Sequence, residues 1–233
     1  MVDHALLSRV LSEFVQTLVR RYDVGEVLYQ LTDRTVEVLG VAGSGVSLQR
    51  EGGKLLFVSA TDEATAKVER VQEDAQKGPC HEAHQRGEPV LIPDIAADDR
   101  WPSYRPTAAE QGFHAVAGIP MRLQDIRLGA LNVYDDQVRS WDDDVVAAAV
   151  ALANVATSLV INARELEQSR RVAEQLRHAL DSRVVIEQAK GVIARDREVS
   201  VEDAFGVLRS RARDNNLKLH DAARAVVDGL LRP

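Results

Sequence analysis

The sequence predicts an α+β domain of antiparallel strands and helices, then a long coiled-coil helix, then an all-α bundle of three helices. Three observations predict it. Short β-prone runs alternate with helical stretches over roughly the first 140 residues. A seven-residue apolar repeat begins at Val145. The last sixty or so residues carry only helical periodicity, broken twice by capping and turn residues.

The elements follow in chain order. Leu7, Val10, Leu11, Phe14, Leu18 and Val19 recur at helical spacing between Ala5 and Tyr22, which gives an N-terminal helical segment over 1–22. A second helix is expected over Val24 to Leu39. Gly43 to Arg50 and Lys54 to Ala60 are β-prone runs separated by Glu51-Gly52-Gly53, a hairpin signal. A charged helical stretch, Ala64 to Gln76, leads to Gly78-Pro79-Cys80, and Pro89 to Ile92 is a further short strand. His114 to Arg122 and Ile126 to Tyr134 form a second β pair around the polar turn at Gln124-Asp125. This order suits an antiparallel sheet with helices on one side and crossover loops on the other, a domain spanning 23–141.

From about Asp142 to Ala194 one uninterrupted helix is expected. Val145, Leu152, Leu159, Leu166, Ala173 and Leu180 repeat every seven residues, and Ala148, Val155, Asn162, Ser169 and Leu176 lie three residues after the first five. A period of about 3.5 marks a coiled-coil seam, and Asn162 at a core position would fix register in a dimer. The expected dimer linker covers 142–180; its Ala- and Val-rich first half also packs on the preceding domain. The alternative is a helix whose apolar side is core of a single chain.

The final module, 173–233, reads as three short helices. Val185, Ile186, Ala189, Val192 and Ile193 share one helical face. Ser200, with Asp203 in the first turn, opens a second helix bearing Ala204, Phe205 and Leu208. Asn215-Asn216 supplies a turn. Leu219, Ala222, Ala223, Val226, Val227 and Leu230 mark a third helix, and three apolar stripes must bury one another.

Composition narrows the setting. The chain has 233 residues and a formal charge of −7. The last module holds eleven Lys and Arg against ten Asp and Glu, so its net is +1 and the preceding 172 residues carry −8. A single cysteine excludes an intrachain disulfide framework and suits a reducing, cytoplasmic location. No secretory leader is visible, and no apolar run is expected to reach the roughly 18 residues that span a membrane.

Two stretches resemble known families. Arg183 to Gly191 reads R-x-x-I-E-Q-A-K-G, Ser200 to Arg209 reads S-x-E-D-A-F-x-x-L-R, and Ala212, Asn215-Asn216 and L-x-D-A-A from Leu219 follow. In that order they resemble the ANTAR domain, a helical module of bacterial signalling proteins. The resemblance implies binding to hairpins in nascent mRNA and passage of transcription through a terminator. Gly78-Pro79-Cys80, P-V-L-I-P-D-I from Pro89, D-x-R-W-P from Asp98, G-I-P from Gly118, L-G-A-L-N-V-Y from Leu128, and Trp141 before Asp142 to Asp144 are similar to the GAF domain over about Leu18 to Asn162. That resemblance implies a sensor that binds a small-molecule effector or dimerises, with no ligand identified and no cofactor expected.

Candidate site residues follow. With the ANTAR resemblance, RNA contact is expected from Arg183, Gln188, Lys190, Arg209, Arg213, Asn216 and Lys218. The cations would hold phosphates and the amides would read base edges. Arg183 and Lys190 share one face of the first helix, Arg209 and Arg213 one face of the second, and the two faces are expected to meet beside Asn216 and Lys218. The plainer alternative is solvated helix faces. Trp101, Tyr104 and Phe113 are a candidate ligand pocket, or simply core. Cys80, His81 and His84 form C-H-x-x-H, but no second ligand cluster supports a metal; Cys80 reads as a packing residue, the alternative being a thiol sensor whose pKa is lowered at a helix N-terminus. A GAF-family reductase resolving through a disulfide would need a second cysteine, so no enzyme is expected. Asp98, Asp99 and Asp142 to Asp144 read as turn and cap residues. The competing functional class is a DNA-binding transcription factor, with 214–218 as the turn of a helix-turn-helix.

Overall fold

The computed structural model describes residues 2–50 and 52–230, the side chains of 178–180 excepted. Contacts divide the chain into two units, residues 1–164 and 165–233.

The first unit begins with α1 (His4–Thr17), capped by Asp3, whose side chain accepts from the Leu6 amide at 2.8 Å. Helix α2 (Val24–Leu39) starts on the Asp23 cap and stops at Gly40, which takes the left-handed conformation (φ 59°) that ends helices. Then come β1 (Gly43–Gln49), β2 (Leu55–Ala60), α3 (Glu63–Ala75), α4 (Pro79–Arg86) and β3 (Val90–Ile92). A 3₁₀ turn at Ile95–Ala97, α5 (Tyr104–Glu110), β4 (Ala115–Leu123) and β5 (Ile126–Asp135) complete the domain before α6 (Asp143–Arg197). The strands form one antiparallel sheet in the order β2-β1-β5-β4-β3. Gln124, at φ 50°, turns β4 into β5. Glu51, in the expected β1–β2 turn, lies outside the described residues.

Alternation along the strands separates two cores. Val46, Ala117, Ile119 and Val133 pack with Val10, Phe14, Leu28 and Leu31 of α1 and α2 and with Leu152 and Leu159 of α6. Val116 and Tyr134, one residue out of phase, pack with Val68 of α3, Ala83 of α4 and Tyr104 and Ala108 of α5. The second face is therefore covered by three helices: α3, predicted as the helical stretch Ala64 to Gln76, and α4 and α5, which stand where crossover loops were expected. The loops between strands are long enough to form helical turns, and the apolar residues they carry need burial.

Helix α6 corrects two sequence readings. Val145, Ala148, Leu152 and Leu159 are buried against their own sheet and α1–α2. The front of the repeat is thus core of its own domain and unavailable to a partner helix. Asn162 donates from Nδ2 to the Tyr22 hydroxyl at 3.2 Å, and that hydroxyl donates to the Leu159 carbonyl at 2.7 Å. Of the described seam side chains, Asn162, Leu166, Ser169, Ala173 and Leu176 are exposed, and only Leu166, Ala173 and Leu176 of these are apolar; the Leu180 side chain lies outside the described residues. No charge interrupts residues 145–162, so the expectation of no membrane-length apolar run also fails. Helix α6 contains an 18-residue window with mean hydropathy 2.0, half of it buried. Packing on the sheet accounts for that composition.

In the second unit, the last turns of α6 pack with α7 (Val201–Asp214) and α8 (Leu219–Val227) around Val185, Ala189, Ile193, Ala204, Leu208, Ala212, Ala222, Ala223 and Val226. Ser200 caps α7, accepting from the Asp203 amide at 3.0 Å. Asn216 makes the α7–α8 turn in the left-handed conformation (φ 52°). Helix α8 ends at Val227, and Val227 and Leu230 are exposed where core positions were expected.

Candidate nucleic-acid interface and sensor interior

The cations of the second unit lie on the flanks of its helices, beside the apolar stripe. Arg183 and Lys190, seven residues apart, occupy one flank of α6. Arg209 and Arg213 occupy one flank of α7. The Lys190 side chain is only 16% exposed, and its Nζ pairs with Glu187 at 2.8 Å. Its stem therefore lies along the bundle while its head reaches the edge. That edge holds Phe205. Lys190 Nζ stands 5.8 Å from the Phe205 ring centroid and the Arg209 guanidinium 5.9 Å from it. Helices α6 and α7 thus deliver one cation each to the same half-buried ring.

The other expected contacts fall elsewhere. Gln188 precedes Lys190 by two positions, about 200° around the helix, and faces the opposite flank. Asn216 and Lys218 are exposed in the α7–α8 turn. That turn follows the C-terminus of α7, about 14 Å along the axis from Phe205. Lys190 of α6 and Arg209 of α7 meet at Phe205. Sequence reading missed Phe205, although it is the only aromatic residue between 173 and 233 and lies four positions before Arg209.

The sensor interior holds a second arrangement. Thr65, Ala66, Val68, Glu69 and Gln72 form the buried face of α3, so three polar side chains occupy core positions. Glu69 is fully buried. Its carboxylate accepts from Asn132 Nδ2 at 2.7 Å, the Tyr134 hydroxyl at 2.8 Å and Ser47 Oγ at 3.2 Å. Gln72 donates to Tyr134 at 3.0 Å and accepts from the Cys80 amide at 3.0 Å. Asn132 on the central strand is flanked in register by Gly45 and Gly118. A Cβ at Gly45 would stand 2.5 Å from Glu69 Oε1, so the bare backbone is what lets the carboxylate reach the sheet. Burial pushes the Glu69 carboxyl up to about 7, against three donors that favour its ionised form. The Tyr104 hydroxyl and Asn132 Oδ1 are buried without a hydrogen-bond partner among the described residues. The charged pattern of α3 in the sequence gave no hint of this cluster.

Cys80 is buried in the first turn of α4 and packs with Leu55 and Ala130. Burial, then the nearby Glu69 charge, pushes its thiol well up, so it is held protonated and poorly nucleophilic. His81 and His84 are also largely buried, and burial pushes both imidazoles down. Tyr104 and Phe113 are core residues of the second face, Phe113 stacking at 4.9 Å on Tyr134. Trp101 is half-buried at their margin, with the Arg100 guanidinium 4.3 Å over its ring. Arg100 also grips Asp98 at 2.6 Å and Glu82 at 3.0 Å, so the D-x-R-W-P stretch fastens a loop to α4. Asp142 caps α6 through the Val145 amide at 2.8 Å.

Comparison with known proteins agrees with this division. The GAF domain model matches residues 23–159 and the ANTAR domain model residues 174–227. No curated protein sequence matches the chain. Among solved structures, the chain is similar to the GAF domain of a phosphoenolpyruvate-protein phosphotransferase from Coxiella burnetii. That match has 18% identity and a TM-score of 0.59, covering 71% of this chain and 99% of the other. It is also similar to the free methionine-R-sulfoxide reductase of Neisseria meningitidis, at 15% identity and TM-score 0.54, covering 70% and 92%. The PixJ GAF domain of Thermosynechococcus elongatus matches at 16% identity and TM-score 0.51, covering 68% and 96%. These likenesses show the fold. The GAF match takes in more than half of the sequence and the ANTAR match follows it directly, so the chain belongs to the GAF domain family, in the GAF–ANTAR architecture.

Proposed function

We propose that this protein binds hairpins in nascent mRNA through its ANTAR domain and promotes transcription antitermination in the cytoplasm, under control of its GAF domain. The GAF and ANTAR pairing supports a regulator of this general kind. The observation that carries the finer reading is the meeting of Lys190 and Arg209 at Phe205, which concentrates cations from two helices on one edge of a small bundle. Phosphates of a folded RNA suit such an edge, while Gln188 on one flank and Asn216 in the turn offer amides for base edges. The module's net charge of +1 is low for a protein that binds by phosphate contact alone. Two linked modules acting on paired hairpins supply the missing affinity through effective concentration. The exposed apolar positions Leu166, Ala173 and Leu176 are the surface through which two copies of α6 would pair in parallel. A small-molecule effector of the GAF domain acts by binding two arrangements of that dimer unequally. The buried, protonated Cys80 supports a non-enzymatic sensor: a thiol in that state is a poor nucleophile.

The test is titration of the full chain with a hairpin RNA pool and with duplex DNA of matched stem sequence, over a range of salt. Preference for hairpin RNA is expected. No hairpin binding at low salt, or tighter binding of the duplex DNA, overturns the proposal. Sequencing RNA that co-purifies with the protein identifies the targets.

A further inference from the structure

Phe205 is misplaced for a structural residue. It is the only aromatic side chain between 173 and 233, in a module whose core is built from Val, Ile, Leu and Ala. The hydrophobic effect favours the largest apolar side chain in the core, yet Phe205 stands outside that cluster and only half-buried. Two cations, Lys190 Nζ and the Arg209 guanidinium, stand 5.8 and 5.9 Å from its ring centroid. The next residue, Gly206, is an exposed helical glycine whose added Cβ would meet nothing within 4 Å. Glycine inside a helix disfavours it, and no neighbour among the described residues requires the bare backbone here. A flat apolar ring, cations from two helices near it and an uncluttered helix surface beside it form a site for a flat, electron-rich group joined to anions.

We infer that Phe205 is a stacking platform for one unpaired nucleobase of the bound RNA, with Lys190 and Arg209 holding the phosphates on either side of that nucleotide. This deepens the RNA-binding reading and rests on it. Stacking on an aromatic face tolerates any base, so Phe205 sets whether a loop is recognised and leaves sequence preference to amide groups elsewhere. A closed duplex offers no free base face, which ties the module to hairpin loops.

The experiment compares the full-length protein with Phe205→Leu, Phe205→Ala and Phe205→Tyr on a pool of RNA hairpins sharing one stem and a randomised loop. The same stem closed as a loopless RNA duplex is the control. Phe205→Leu and Phe205→Ala should weaken hairpin binding by about 10- to 100-fold, the loss of one stacked base. Phe205→Tyr should restore it, and the weak binding to loopless duplex should not change in any variant. Full hairpin affinity in Phe205→Leu shows that the ring only packs, and overturns the inference while leaving the RNA-binding reading intact. Failure of the unaltered protein to bind any hairpin overturns that reading instead. An independent measurement needs no variant: ultraviolet crosslinking of the unaltered protein to the hairpin pool should join a loop nucleotide to the peptide containing Phe205. Crosslinks confined to other peptides overturn the inference even if a variant fails to fold.

Discussion

Replacing Glu69 by Gln tests the physics of the sensor interior. The carboxyl is fully buried, and burial raises it from an ordinary 4.5 to about 7. Between those values the folded protein holds a proton that the unfolded chain has released. Stability therefore falls as pH rises through that window and levels off above about 7, by about 3 kcal/mol in all. Glutamine is nearly isosteric. Its amide oxygen can accept from Asn132 and Tyr134 as the carboxylate does, and its amide nitrogen can donate to Ser47 Oγ. His81 and His84 contribute the opposite slope, because burial lowers them and their neutral forms suit the fold. That slope is common to both proteins, so the difference between them isolates Glu69. Urea unfolding followed by the fluorescence of Trp101 and Trp141, both in the first unit, measures this difference across pH. Relative to Glu69→Gln, the unaltered protein should lose about 3 kcal/mol between about pH 4.5 and pH 7.5. A difference that does not change with pH would mean that Glu69 titrates in the ordinary range and is solvated, refuting the reasoning.

Three further outcomes are expected. Lys190→Ala should weaken binding to many hairpins alike and reduce the salt dependence by about one ion, whereas changes at Gln188 or Asn216 should alter preference among loops; anisotropy titrations at several salt concentrations separate the two. Leu166→Glu with Leu176→Glu should yield a folded monomer by light scattering, while Leu159→Glu should unfold the GAF domain by burying a charge at a cost of several kcal/mol; a monomeric unaltered protein at micromolar concentration ends the dimer hypothesis. Cys80→Ser should keep RNA binding and its regulation with the fold intact, and loss of regulation alone would make the thiol the sensor.

The order of elements was readable from local patterning. The helix expected over Val24 to Leu39 matches α2 because Asp23 and Gly40 mark its ends chemically. Ser200 likewise announces α7. The strands around Gln124 were legible from β-prone runs with a polar turn between them. What such patterns leave out is which surface an apolar stripe meets. The seven-residue repeat beginning at Val145 has the same spacing whether the opposing surface is a second helix or the chain's own sheet. Glu69 and Gln72 read as solvated charge and amide along α3, because nothing nearby in sequence reports that Gly45 on the sheet leaves room for Glu69 and that Gly78 before α4 leaves room for Gln72.

The sequence by itself determined the two domains, their families, the succession of helices and strands, and the cations on the flanks of the last three helices. These follow from residues a few positions apart, where spacing and capping chemistry act directly. Only the tertiary structure decided that Val145, Leu152 and Leu159 belong to the core of their own domain, that a carboxyl is sealed between α3 and the sheet, and that Lys190 and Arg209 converge on Phe205. Each of these depends on residues far apart in the chain coming into contact, and hydrophobic burial, which drives that contact, is non-directional: it specifies that a face must be covered and leaves the covering surface to the packing of the whole.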